Sequence, residues 1–471
     1  MKKILFGITL ILLSSCKESS KKIQTDNEFI QTSLSTEIER MIEETGIPSI
    51  SIVLIERDSL TWAKSFGHSN VKLQTSATTS TVYSTGSTTK PFLAVAILQL
   101  VEKGILDLDE PVNNYLAEPL PKFSDTSKPI TLRHLLSHQS GIPASADFVS
   151  LWGKEHRKSL KEIVSGIKLV REPEKLFEYS NDGFVVATLA LEEQTGMKYG
   201  DYVDTYILKP LGLHNINFTM PNPEMVEEMA LPYKLTYNKA LPIEQLYSQP
   251  FPTGGLTYLS PSQMSRFLIA LLNNGNFESS KILNEQSILE LKKVSFGHEY
   301  YGLGIGVEKT EDNKYWFHSG LQDGFTASFK LNIDSKKGLY LMANATAERH
   351  LSELTELAIK LLDGKKEYTP IASLSTKEYE KIELTENELN KFVGTYNIIG
   401  TDFNLTIEKN NNKLYLINPA NLKYEILPYE KTKFYLKTEE EQIEFTNSEN
   451  GIEKMIFYKR EQEQFRANKL K

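Results

Sequence analysis

Between Phe92 and Val101 the chain carries a single polar side chain, Gln99. A helix that is apolar all round has no face for water, so the rest of the chain has to wrap it on every side. The pattern predicts that this helix opens near Ser87 and runs to Lys103, stopping at Gly104. Pro91 falls in its first turn, where a missing N–H costs little. A buried central helix with Ser87-Thr88-Thr89-Lys90 at its mouth is therefore the element around which the fold must be built.

The wrapping layers are legible on both sides of it. Ser49 to Glu56 and Leu60 to Phe66 read as an antiparallel hairpin turning at Arg57-Asp58-Ser59. Phe29, Ile30, Leu34, Ile38, Met41 and Ile42 predict a helix from Phe29 to Glu44. A second strand-rich block spans Tyr301 to Ala345, and a helix from His350 to Leu362 closes it. Helical patterns at Ile163 to Leu169, about Gly183 to Thr195, and Pro261 to Asn273 lie between. The expected class is α/β (α+β): an antiparallel sheet drawn from both ends, flanked by helices, with a mainly helical insertion.

Lys365 to Glu383 is polar and reads as a linker. From about Leu384 the texture changes to short alternating runs. They include Phe392 to Tyr396, Phe403 to Ile407, Lys413 to Ile417, Tyr424 to Leu427, Phe434 to Lys437, Ile443 to Thr446 and Ile452 to Tyr458. Asn410-Asn411-Asn412 and Ser448-Glu449-Asn450-Gly451 supply turn chemistry. This predicts a second, all-β domain over 384–471, a small barrel or sandwich, behind a first domain over 29–364. With 471 residues and 40% hydrophobic content, the chain can bury a large core. The net charge of -8, without a basic patch, gives no case for nucleic acid.

The start of the chain reads as a targeting segment. Lys2 and Lys3 precede an apolar run from Ile4 to Leu13, too short to span a bilayer. Leu13-Ser14-Ser15-Cys16 then resembles a bacterial lipobox, and Cys16 is the only cysteine. The expectation is a signal peptide over 1–15, lipidation at Cys16, and a polar tether over 16–28. That makes a secreted lipoprotein held on a membrane by acyl chains, periplasmic or associated with the outer membrane. An ordinary signal peptide with an incidental cysteine is the alternative.

Three short elements carry candidate chemistry. Ser87 and Lys90 stand at i and i+3, so they share a helix face. Serine attacks well only when a neighbour removes its proton. Lys90, desolvated at a positive helix N-terminus, would be driven toward the neutral amine that can do this. The same spacing at Ser19/Lys22, Ser69/Lys72 and Ser165/Lys168 opens no long apolar helix. The plain alternative for Ser87 is a helix N-cap. Tyr179-Ser180-Asn181, after the loop Glu172 to Phe177, offers a phenol that can relay a proton and an amide that can orient the lysine. It could equally be a loop leading into a helix. His318-Ser319-Gly320 follows strand-like Tyr315-Trp316-Phe317, and could be a strand edge for substrate or a histidine beside a turn.

Taken together, the order and spacing of these elements resemble the serine beta-lactamase and penicillin-binding-protein superfamily, nearest its class C, D-aminopeptidase and esterase branch. Thr131 to Pro143 and Pro252 to Leu256 resemble two further landmarks of that family. The resemblance covers about residues 30 to 363. It implies an α/β sandwich facing a helical subdomain, with the site in the cleft, and a lipocalin-like barrel after it. It also implies Ser87, Lys90 and Tyr179 as catalytic residues and Asn181, His318, Ser319, Gly320 and Leu321 as substrate-binding. The backbone N–H groups of Ser87 and Leu321 would form the oxyanion hole, and no cofactor is implied.

His318 stands where lactamases usually carry lysine. Lysine gives a substrate carboxylate a permanent cation, whereas histidine at pH 7 is mostly neutral. The expected activity is therefore acyl-enzyme hydrolysis of small amides, peptides or esters. A beta-lactamase or D-Ala-D-Ala carboxypeptidase is one alternative, and a catalytically silent envelope binder or sensor another. His134 and His138, four apart, could pair on zinc, but no His-Glu-x-x-His accompanies them. No Gly-x-Ser-x-Gly elbow surrounds Ser87.

Overall fold

The computed structural model describes residues 6–124, 127–143, 159–214, 228–236, 239–243, 257–322, 324–367, 369–372, 379–401, 403–419, 423–436, 441–448, 451–459 and 462–470, with 6–25 as backbone only. Pro252 to Leu256 lie outside the described residues.

A seven-stranded antiparallel sheet organises the first domain. Its strands are β1 (Ser49–Glu56), β2 (Ser59–Asn70), β3 (Thr75–Ser76), β4 (Gly306–Lys309), β5 (Lys314–Gln322), β6 (Phe325–Asn332) and β7 (Lys337–Ala343), in the spatial order β4-β5-β6-β7-β1-β2-β3. β1 and β7 join the two ends of the domain, with Ile50 opposite Ala343 and Glu56 opposite Lys337. The side chains of β1 serve two cores because successive residues point to opposite faces. Val53 and Ile55 join the apolar cluster around α2 (Lys90–Glu102), while Ile50, Ile52 and Leu54 pack with α1 (Phe6–Thr45) and α7 (Glu348–Leu362).

The central helix is as deeply set as its composition requires: Lys90 through Leu100 are all buried. Against it pack α5 (Asn181–Thr195) and α6 (Pro261–Leu272), and α3 (Leu132–Leu136) and α4 (Leu160–Ser165) pack on α5 in turn. Phe92 stacks on Phe267 of α6 at 3.7 Å between ring centroids.

Two local expectations change. α1 begins at Phe6 rather than Phe29, so the stretch expected as a tether continues the helix. No glycine or proline interrupts Ile8 to Thr45, so nothing in the chain compels a later start. The second strand block begins at Gly306, because Gly302 to Ile305 form a bend in which the Gly304 N–H reaches the Leu136 carbonyl at 2.8 Å.

The linker is fastened to α1. Arg40 donates to the Ile371 carbonyl at 2.6 Å, and Glu37 accepts the Ile371 N–H at 3.1 Å. Beyond it, β8 (Gly394–Ile398), β9 (Asn404–Asn410), β10 (Lys413–Ile417), β11 (Lys423–Pro428), β12 (Lys433–Leu436), β13 (Glu441–Ser448), β14 (Gly451–Lys459) and β15 (Gln462–Lys469) form a closed barrel. Its interior is filled by side chains, among them Phe392, Phe434 and Phe445, whose ring centroids lie 4.8 to 5.4 Å apart. Among the described residues no helix is long and apolar enough to cross a membrane.

Candidate active site

Ser87 sits in a tight 3-10 turn, Gly86–Thr89, and the α-helix proper starts at Lys90. Neither helical segment uses a side-chain N-cap, so the capping alternative for Ser87 falls away. The turn is tied by its threonines: Thr88 Oγ1 donates to the Thr85 carbonyl at 2.7 Å, and Thr89 Oγ1 to the Gly86 carbonyl at 3.0 Å. Ser87 keeps part of its surface open, while Lys90 is fully buried behind it.

The lysine amine lies 3.0 Å from Ser87 Oγ and 2.8 Å from Asn181 Oδ1. Burial lowers its pKa from an ordinary 10.5 to about 7. A neutral amine can hold an N–H on Asn181 and offer its lone pair to the serine proton. Asn181 is the first residue of α5 because Ser180 caps that helix, its Oγ accepting the Gly183 N–H at 3.1 Å. Tyr179, just outside the cap, interacts through its hydroxyl with the Ser87 side chain. Its ring centroid is 4.8 Å from the lysine nitrogen. Burial raises the phenol well above its usual value, so it stays protonated at neutral pH.

The strand edge arrives from the other side. β4 pairs with β5 only as far as Phe317, and Gly320 then passes directly over the serine turn. A Cβ on Gly320 would stand 2.2 Å from the Thr85 carbonyl oxygen and 3.0 Å from the Ser87 nitrogen. Gly86, at φ +54°, is equally committed: a Cβ there would meet the Leu321 nitrogen at 2.7 Å. Only glycine allows this double approach, which brings the backbone nitrogens of Ser87 and Leu321 to one place. Leu321 is 47% exposed, so its edge is open to a ligand.

His318 reaches the same wall but is fully occupied. Its Nδ1 lies 2.6 Å from the Ser319 carbonyl and its Nε2 2.9 Å from the Tyr301 hydroxyl. A carbonyl can only accept, so Nδ1 carries the proton and Nε2 accepts from Tyr301. Burial, reinforced by Lys90, lowers its pKa to about 3. The expectation of a side chain facing substrate is thus altered: His318 is a neutral wall group with no nitrogen left to bind. Ser319 is exposed and lines a cavity of about 210 Å³ with Ser328, Lys330 and Thr355 beneath α7.

The zinc alternative has no geometry behind it. His134 Nδ1 faces the Thr131 N–H at 3.1 Å and its Nε2 faces Glu174 at 3.1 Å. His138 Nδ1 accepts the Ser180 N–H at 3.0 Å. Tyr301 and His138 are site residues that sequence reasoning did not assign. Each matters through a contact made far along the chain, and only the position of His138 inside the Thr131 to Pro143 landmark hinted at it. Cys16 falls in the part of α1 described as backbone only.

This geometry agrees with the comparisons to known proteins. A penicillin-binding protein of Bacillus subtilis strain 168 is 25% identical over 429 residues, covering 87% of this chain and 92% of that protein. The octameric penicillin-binding protein homologue from Pyrococcus abyssi superposes with a TM-score of 0.61 at 26% identity, over 93% of this chain and 99% of the other. A D-stereospecific amidohydrolase from Streptomyces sp. gives 0.57 at 25% identity, over 69% and 98%. The Beta-lactamase family model matches residues 34–362. Sheet, central helix and matched span together establish that the chain belongs to the beta-lactamase family of serine hydrolases.

Proposed function

We propose that the chain hydrolyses small amides, peptides or esters through an acyl-enzyme on Ser87, in the manner of D-amino-acid peptidases and esterases. One observation carries this reading: the buried Lys90 amine, with its pKa near 7, stands 3.0 Å from Ser87 Oγ. Neutral Lys90 takes the Ser87 proton as Oγ bonds to the substrate carbonyl carbon. The oxyanion forms against the Ser87 and Leu321 N–H groups, where a single donor is worth ~2.7–4 kcal/mol. On collapse the carbonyl reforms, the bond to the leaving group breaks, and that group takes a proton from Tyr179, which Lys90 resupplies. Water then attacks the ester, losing its proton to the same relay, and the acid departs as Ser87 regains its hydrogen.

The substrate class rests on His318. With Nδ1 on the Ser319 carbonyl and Nε2 on Tyr301, it offers no cation to a substrate carboxylate. This favours amides and esters over penicillins and D-Ala-D-Ala peptides. The D-stereospecific amidohydrolase among the similar structures supports the same preference. A silent binder would have no use for a depressed lysine beside a serine. The order Lys2, Lys3, Ile4 to Leu13 and Cys16 supports a lipid anchor at Cys16, which would put this chemistry in the cell envelope.

The test is a panel of nitrophenyl esters, D-amino-acid amides and nitrocefin, with fluorophosphonate labelling of Ser87. Turnover of esters or D-amides above nitrocefin, lost in Ser87→Ala, is the expected result. Full hydrolysis by Ser87→Ala, or no adduct on Ser87 with several reagents, would refute the assignment. Cys16→Ser should release the protein from the membrane fraction.

A further inference from the structure

We propose that His138 is a positioning residue for the reaction, holding the Tyr179 phenol against Ser87. The inference rests on the proton-relay reading of Tyr179 given above. His138 grips the chain on both sides of that tyrosine. Its carbonyl accepts the Glu178 N–H at 2.9 Å, and its Nδ1 accepts the Ser180 N–H at 3.0 Å. Between these two bonds the imidazole lies against the Tyr179 ring, 4.1 Å between centroids and tilted by 34°. One residue therefore fixes the backbone before the tyrosine, the backbone after it, and the face of the ring itself.

Two features of His138 would be costly without such a purpose. Its φ is +60°, in the left-handed region that residues other than glycine seldom occupy. With Nδ1 accepting, Nε2 must carry the hydrogen, and that buried atom has no hydrogen-bond partner among the described residues. Around it stand the rings of Phe177, Phe184 and Tyr301. A serine or asparagine could accept the Ser180 N–H as well, so the hydrogen bond alone does not call for an imidazole. The flat ring against the phenol does.

The clamp is braced at both ends. Ser180 Oγ donates to the Pro143 carbonyl at 2.9 Å, and Gln139 accepts the Glu174 N–H at 2.9 Å. Arg171 pairs with Glu178, next to the tyrosine. The segments 138–143 and 174–180 thus move together, and Tyr179 moves with them. His138 makes no described hydrogen bond to Ser87 or Lys90 and meets Lys90 only through charge, so the larger part of its effect should pass through Tyr179.

A double-mutant cycle on the full chain tests this, read by the rate of Ser87 labelling with a fluorophosphonate and by kcat/KM on a nitrophenyl ester. A positioned proton-transfer group contributes about 10²–10⁴-fold, so Tyr179→Phe should lose about 100-fold. His138→Ala should lose about tenfold in the wild-type background and less than about twofold in the Tyr179→Phe background. His138→Asn keeps an acceptor near Nδ1 and tolerates the left-handed backbone, so it should recover part of the loss. If His138→Ala does not fold, His138→Asn runs the same cycle. Equal losses in both backgrounds, or a His138→Ala protein with wild-type rates, would overturn the inference and leave the relay standing. A Tyr179→Phe protein with wild-type rates would instead remove the relay itself.

Discussion

The floor of the active-site cleft and the barrel lumen both bury their side chains, on opposite terms. In the lumen, Phe392, Phe434 and Phe445 fill the space, Phe434 edge to face with each of the other two, and burial is what stabilises them. In the cleft, burial works against Lys90, whose pKa falls to about 7, and against His318, which is kept neutral. One interior is closed by packing and keeps its shape. The other spends stability to hold groups in reactive protonation states, and chemistry is to be sought where burial is unfavourable.

Swapping the terms of each interior should separate them. Lys90→Met puts an apolar chain of similar length where the amine was. It should lower kcat/KM by about 10³-fold or more, as loss of a general base does, while raising the melting temperature. A melting temperature below wild type would contradict the idea that Lys90 is held at a cost. Phe445→Ala opens a hole in the lumen and should destabilise the barrel by about 3–5 kcal/mol. Calorimetry should find the lower transition while ester turnover stays within about twofold of wild type. A matching fall in turnover would mean that lumen and cleft are coupled.

The mildest perturbation is pH. kcat/KM should rise through about pH 7 as Lys90 loses its proton, with no inflection from His318, which is neutral above about 3. Stability has its own sign. Between about 7 and 10.5 the unfolded chain keeps a proton on Lys90 that the folded chain lacks, so raising pH across that window favours folding. Lys90→Met should flatten that slope in denaturation curves recorded from pH 6 to 10.

Much of this was open to sequence reading where the signal is local. β1 at Ser49–Glu56 and the central helix follow from apolar runs, and Ser87 and Lys90 from a spacing that any helix turns into contact. The last barrel strand was harder to see. Gln462–Lys469 is mostly polar and exposed, with Ala467 its one buried residue, so alternation barely marks it, yet it closes the ring against β8. The site hid in the same way. His318 looked like a group facing substrate because its partner Tyr301 reaches it only once the bend at Gly302 to Ile305 has formed. His138 acts through a carbonyl and a ring nitrogen on a loop forty residues downstream, which no periodicity records.

The pairing of Ile50 with Ala343 has a consequence for how the molecule comes into being. A chain emerging in order, from ribosome or translocation pore, delivers the oily helix long before β7 arrives to seal the sheet that covers it. Until then that helix is a sticky surface in need of shelter, and the Leu321 N–H has nothing to face. Competence should therefore appear in a single late step, and nascent fragments should show no partial activity to betray how far they have come.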